Sequence, residues 1–341
     1  MEFSVVIPAR NEAPRIGACL EALAVQDVDA SAIEVIVVAA GDDGTGRVAA
    51  QAAAGLPFGR FEVVDLPRGN KNAALQLGCP RATAPIVVLL DADTLVEPHA
   101  LAALAAAVRG APNHAVHGAA LPRYDTCVSR YWELNRRLVK EVCFDGQLSG
   151  ELIALRRETL TAHGLAMLFP EGAGAKDDMQ LGRVLAAHGC TLGYVRDARA
   201  TTMVPWTLGG LTTTMLRSRR AVMVLLPFSS AAMQAAVSAA IVGGPPAAVL
   251  LWAWSPRLAA AVLLPLVVHA SRAALRIASL RERGFVRNLW RFLGFDMLGR
   301  ALKIVAFVER LLGRDPARIF RGQRPHEPAR GSTRPAPHVR A

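Results

Sequence analysis

The sequence predicts an α/β fold, a mixed and mostly parallel sheet flanked by helices, followed by C-terminal membrane helices. Three observations predict it. Over the first 110 residues, short β-rich runs alternate with segments of helical spacing. The fourth run, IVVLL at residues 86–90, is aliphatic throughout and stops on Asp91 and Asp93, as a strand buried on both faces does where it leaves the core. Past Arg220 the composition turns to long stretches of Ala, Val, Leu and Met.

Strands are expected at residues 5–7, 34–38, 61–66 and 86–90, and helices at 15–25, 46–54, 71–77 and 98–109. Polar or glycine-rich loops follow three of the strands, at 8–12, 41–45 and 91–94. Ligands of parallel sheets gather at such carboxyl ends. Further strands are expected at 117–121, 150–155 and 191–195, with a helix over 178–188 closed by Gly189. This second half would carry the acceptor side of a site.

A chain of 341 residues allows two domains by the usual prior of roughly 150 residues each. Hydrophobic residues at 52% against 20% charged supply a sizeable core. The five cysteines are scattered without metal or redox spacing, which suits a reducing compartment. The chain opens on a strand pattern, FSVVIPA, so no secretory signal is expected. The net charge is +11, but Arg and Lys concentrate after residue 214 without interleaved aromatics. That distribution argues against nucleic acid as a partner and for an anionic lipid surface.

Residues 221–241 and 247–269, separated by Gly243-Gly244-Pro245-Pro246, each approach the ~20 residues needed to cross a bilayer. A transmembrane hairpin over 221–270 is the simplest reading. Pro227, Pro256, Pro265 and Arg257 lie within or beside it, and a charge in lipid costs about 2.5 kcal/mol or more. A re-entrant or interfacial pair, or shifted span edges, therefore stay open. Arg217, Arg219 and Arg220 precede the hairpin and Arg272, Arg276, Arg281 and Arg283 follow it. The positive-inside rule then puts the α/β domain, 1–220, on the cytoplasmic side of an inner (plasma) membrane. Within a membrane-associated region at 271–313, residues 285–312 mix Trp290, Phe292 and Phe295 with Arg287, Arg291, Arg300 and Lys303. That is the pattern of a helix lying among headgroups. The basic tail at 314–341 is Pro/Arg-rich and expected to be partly disordered.

VVIPARNE at 5–12, DADT at 91–94 and KDDMQLGRVL at 176–185 occur in that order ahead of the apolar stretches. Together they resemble the inverting family 2 glycosyltransferases, nucleotide-sugar enzymes of the GT-A fold, over about residues 3–220. The resemblance implies that Pro8 and Ala9 set backbone against the nucleobase. It puts Glu12 at the opening of the next helix, where the dipole favours a carboxylate; an ordinary strand-to-helix turn fits Glu12 equally well. The family commonly carries Tyr where Arg10 stands, and paired Asp where Ala39 and Ala40 follow the second strand. Contact with uracil and ribose then falls to Asp42 or Asp43, or the base differs; a UDP-sugar is the default donor. Residues 68–75, RGNKNAAL, match the family's glycine-lysine stretch. Lys71 there would neutralise the donor diphosphate at a helix start, with Arg68 either assisting or sitting in a solvated turn.

On the same resemblance Asp93 binds Mn²⁺ or Mg²⁺, which bridges the two phosphates, and Asp91 completes the pair or orients sugar hydroxyls. Taken alone, Asp-x-Asp also fits a solvated turn. The general base that deprotonates the acceptor hydroxyl is Asp178, second acid of Asp177-Asp178. Adjacent carboxylates raise one another's pKa, while a helix cap would use the same pair. QLSGE at 147–151 resembles the segment that shapes the acceptor pocket. Residues 215–221, MLRSRRA, keep the arginines of the Gln-x-x-Arg-Trp signature of processive members but lack its Gln and Trp. Arg219 or Arg220 would touch the diphosphate, or juxtamembrane lipid.

The expected function is transfer of a single sugar, with inversion, from a nucleotide-diphosphate sugar to a lipid or lipid-linked acceptor at the membrane. A processive synthase subunit is the enzymatic alternative, separated by product length. A catalytically silent membrane scaffold is the other, separated by whether the nucleotide binds with metal.

Overall fold

The structure, a computed structural model, describes residues 1–110, 114–142, 144, 146–170, 177–281 and 283–314, apart from the side chains of Asp177 and Leu225. Lys176, the Asp177 carboxylate and the basic tail beyond Arg314 therefore lie outside what is described. The chain forms two compact units, residues 1–123 with 144–203, and residues 124–143 with 204–341.

In the first unit, β1 (Phe3–Arg10), β2 (Ile33–Ala40), β3 (Arg60–Leu66) and β4 (Ile86–Leu90) alternate with α1 (Ile16–Ala24), α2 (Thr45–Ala53) and α3 (Lys71–Gly78). Then come β5 (Leu95–Val96), α4 (Ala100–Gly110), β6 (His114–Pro122), β7 (Leu152–Arg156), α6 (Arg157–His163), α7 (Leu165–Leu168), α8 (Asp177–Ala187) and β8 (Thr191–Thr202). The eight strands lie in the order β3-β2-β1-β4-β7-β6-β8-β5. The β1–β2, β2–β3, β1–β4 and β6–β8 pairings are parallel. The expected fold class, a mixed and mostly parallel sheet, is borne out, and β4 occupies the residues assigned to it.

Strand periodicity explains the unbroken apolar runs, because successive side chains point to opposite faces. Val5, Ile7, Val35, Val37, Val88 and Leu90 pack under α1, α2 and α4. Val6, Ile36, Val38, Val87 and Leu89 pack under α3 and α6–α8. Both faces being covered, neither can be polar. A buried charge on β2 interrupts this core. Glu34, fully buried on β2, accepts from Thr83 N at 2.5 Å, Thr83 Oγ1 at 3.0 Å, Ala84 N at 3.2 Å and the Ser4 hydroxyl, and pairs with Arg60 at 3.0 Å.

The second unit is helical: α5 (Cys127–Arg137), α9 (Leu208–Leu225), α10 (Phe228–Trp252), α11 (Pro256–Ser279) and α12 (Phe285–Leu311). A π-helical turn, Leu138–Val142, extends α5. Thr126 caps α5 through a reciprocal capping box with Ser129. Val128, Tyr131, Leu134, Leu211, Ala273, Ile277 and Phe292 share a core. Among the described residues two helices, α10 and α11, are long and apolar enough to cross a membrane.

Their turn is not where the sequence suggested. The helix α10 runs through Gly243-Gly244-Pro245-Pro246, and the reversal comes at 253–255. There Ser255 accepts from Leu258 N at 3.3 Å and Pro256 takes the first helical position, a combined start signal. Gly244 serves packing instead: a Cβ there would stand 2.8 Å from the Val262 carbonyl oxygen of α11.

Candidate active site

The site is built at the carboxyl end of β4. The backbone N–H of Asp91 donates to the Glu151 carbonyl at 3.1 Å, and that of Thr94 to the Asp91 carbonyl at 3.0 Å. The buried Thr94 hydroxyl bonds the Thr202 hydroxyl of β8 at 3.0 Å. The acidic turn is thereby held to β7 and β8 rather than left loose in solvent.

Lys71 reaches this turn because Asn70 starts α3, its side chain accepting from Ala73 N at 3.0 Å. From the first helical position, Lys71 Nζ donates to Asp91 Oδ1 at 2.5 Å and to the Gly150 carbonyl at 3.1 Å. Across Gly150 lies Asp178, near the start of α8: a Cβ on Gly150 would be 3.3 Å from both Asp178 Cβ and Lys71 Nζ. Lys71, Gly150 and Asp178, with Leu75, Phe169 and Leu181, line one small, partly open pocket. Asp178 Oδ1 accepts from Met179 N at 2.8 Å. Asn72 and Gln76 donate to the Pro170 and Phe169 carbonyls at 2.8 and 2.5 Å, fixing α3 to the segment before α8.

Burial pushes both acids of the turn upward. For Asp91, desolvation leads, Lys71 opposes it, and the charges of Asp93 and Glu151 add to it. For Asp93, desolvation again leads, Lys71 and Arg15 oppose, and Glu151 adds. Among the described residues no group of three or more His, Cys, Asp or Glu side chains is arranged to hold a metal by itself. Two half-buried carboxylates, the charge of Asp93 disfavouring that of Asp91, do fit a hard divalent cation whose remaining ligands are phosphate oxygens and water.

At the end of β1, Glu12 is 1% exposed. Its N–H donates to Thr45 Oγ1 at 2.8 Å and its carboxylate pairs with Arg15 at 3.1 Å. Ala9 is buried and Pro8 half-buried. Asp43 accepts from Ala13 N, Thr45 N and Thr45 Oγ1 at 2.9, 3.0 and 2.5 Å. Burial raises its pKa, and these bonds outweigh that and hold it low. Asp43 is thus occupied in the turn before α2.

Three residues bear on the site in ways that the motifs do not carry. Arg15 and Glu151 act electrostatically on Asp93. Asp65 on β3 pairs in register with Ala39, and its Oδ1 would be 3.3 Å from a Cβ on Gly46. Only the register of two strands distant in sequence reveals a carboxylate beside the missing one. Arg219 and Arg220 belong to the second unit, where Arg220 pairs with Glu309 through both guanidinium bonds, at 2.6 and 2.7 Å.

A sheet of this order with an acidic turn after its fourth strand defines a GT-A nucleotide-diphospho-sugar transferase fold. The sequence profile described as glycosyltransferase like family 2 matches residues 1–221, and the chain belongs to that family of glycosyltransferases. Comparison with curated protein sequences finds no match. Among solved structures, the mannosyltransferase PcManGT from Pyrobaculum calidifontis, in complex with GDP-Man and Mn²⁺, is 24% identical. The match covers 92% of this chain and 88% of that one with a TM-score of 0.58. Fainter likenesses are TarS of S. aureus (18% identity, 66% of this chain and 39% of that chain, TM-score 0.48) and glucosyl-3-phosphoglycerate synthase from Mycobacterium tuberculosis with Mg²⁺ and UDP (21%, 66% and 78%, 0.44). The chain thus spans well under half of the full TarS chain.

Proposed function

We propose that this glycosyltransferase moves a single sugar, with inversion and with a divalent metal, from a nucleotide-diphosphate sugar to a lipid or lipid-linked acceptor at a membrane. The observation that carries the reading is the convergence of Lys71, Asp91 and Asp178 on Gly150 at the end of β4. Diphosphate departure needs positive charge on one side of the sugar, and acceptor attack needs a base on the other.

In this reading Asp93 and Asp91 hold Mn²⁺ or Mg²⁺, which supplies Lewis-acid stabilisation of the leaving diphosphate when bound. Lys71 adds a fixed charge beside it, oriented by Asp91. Asp178 takes the proton of the acceptor hydroxyl; Asp177 precedes it as the first residue of α8. Pro8, Ala9 and Glu12 border the nucleoside end. Glu12 acts there through Arg15 and Thr45 rather than by direct contact, being buried and paired. UDP is the default nucleotide, with GDP the alternative; with Ala39 and Ala40 at the end of β2, Asp65, in register with Ala39, is the carboxylate assigned to the base. With Arg220 held by Glu309, the diphosphate charge is assigned to Lys71 and the metal. The membrane and lipid parts rest on α10 and α11 and on the basic segments flanking them.

The test uses the full chain in detergent with a panel of UDP- and GDP-sugars, reading nucleotide release with and without chelator. Turnover should need Mn²⁺ or Mg²⁺, and Asp93→Ala should lower it on the order of a thousandfold or more. Equal turnover in chelator would remove the metal from the reading.

A further inference from the structure

The helical unit holds a cluster of cations that the transfer reaction does not use. Asp296, Gly299, Arg300 and Lys303 follow one another on a single face of α12, at the spacing that stacks side chains along a helix. Asp296 is already shared: Arg300 Nε lies 2.7 Å and His269 Nε2 2.9 Å from its Oδ2. Arg219 of α9 comes onto the same face, its Nη2 3.5 Å from where a Cβ on Gly299 would stand. The absence of a side chain at 299 makes room for the guanidinium.

Arg219 and Lys303 have no hydrogen bond or ion pair among the described residues, and Arg219 Nε is buried without a partner. Burial, with Arg219 and Arg300 beside it, pushes the Lys303 ammonium down to about 8 against the opposing pull of Asp296. Two positive charges are thus held together, partly out of water, with the one nearby acid already engaged. Such an arrangement costs stability unless an anion enters it.

We propose that Arg219, Lys303 and Arg300 form a binding site for a phosphate monoester, separate from the donor site of the first unit. The charge matches: a monoester carries about −1.5 to −2 near neutral pH, against two unmatched cations. The donors match as well, since a guanidinium and an ammonium together offer a fork and a rotatable point charge to phosphate oxygens. The site goes beyond the proposed transfer reaction and stands without it.

The test is equilibrium binding by the full chain in neutral detergent, without nucleotide. Three probes are used: inorganic phosphate, micelles doped with phosphatidic acid, and micelles doped with phosphatidylglycerol, a singly charged diester. Saturable binding of phosphate itself points to a soluble ligand, and binding confined to phosphatidic acid points to a lipid headgroup. In either case Lys303→Met and Arg219→Gln should each weaken it about tenfold, while Arg157→Gln, at an exposed position of the first unit, should not. Thermal unfolding without anion should show Lys303→Met as stable as the parent or more so, because a repulsion is removed. Lys303→Arg keeps the charge and should keep the binding. No binding to phosphate or phosphatidic acid, equal binding to phosphatidylglycerol, or an equal loss in Arg157→Gln would overturn the proposal. With no donor present, such a failure leaves the first unit's reading untouched.

Discussion

At the scale of the residue, Gly150 shows how tightly the candidate site is set. Its carbonyl takes a bond from Lys71, and a methyl group in its place would crowd Lys71 Nζ and Asp178 Cβ at 3.3 Å each. A misplacement of a few tenths of an ångström at reacting groups lowers the rate without unfolding the chain. Gly150→Ala is expected to reduce kcat roughly tenfold with little change in unfolding temperature; an unchanged kcat would separate Gly150 from the chemistry. The acids and the lysine were legible in the sequence as Asp91, Asp93, Lys71 and Asp178, through motif order. Arg15, Glu151 and Asp65 were not. Arg15 and Glu151 act through space on Asp93, 78 and 58 residues away, and Asp65 lies across a strand pair from Ala39; no local pattern encodes that.

At the scale of the element, β2 carries a test of its own. Burial alone would raise the pKa of Glu34, but the bonds from Ser4, Thr83 and Ala84 outweigh it and hold it below the usual value. The sign follows from linkage: a depressed folded-state pKa gives stability that is present above the unfolded value, about 4.3, and lost as pH falls through the folded one. Acid unfolding of the parent chain should therefore steepen below about pH 4. Glu34→Gln should lose about 1–3 kcal/mol at neutral pH and show a shallower acid limb in urea melts taken across that range. Among the helices, α10 and α11 carry the opposite lesson. A Gly-Gly-Pro-Pro run reads as a break, yet α10 passes through it, with Gly244 packed closely on α11. The reversal lies instead at Ser255-Pro256, where a side-chain cap and a proline at the first helical position start α11.

At the scale of the whole molecule, hydrophobic exposure and charge point the same way. The end of the α10–α11 hairpin leaves Val249, Leu250, Trp252 and Trp254 at 75, 76, 66 and 89% exposure, an apolar group that water disfavours and lipid accepts. The net charge of +11 adds attraction to anionic headgroups that salt screens. Serine at those four positions should release the protein from anionic vesicles in a flotation assay, and the parent should stay bound in high salt. Retention of the substituted protein under the same salt would show that this hairpin end is not the anchor.

By itself the sequence determined the α/β class, the strand that delivers the acidic turn, the order of the motifs and the presence of two apolar helices. These depend on local periodicity and on residue types that only a few environments tolerate. Only the tertiary structure decided which carboxylates face one another, that Asp43 is consumed by its turn, that α10 continues through its prolines, and that Arg219 meets Lys303 over Gly299. Those outcomes depend on contacts between segments far apart in the chain, where the geometry of packing selects among conformations that the local residues permit equally.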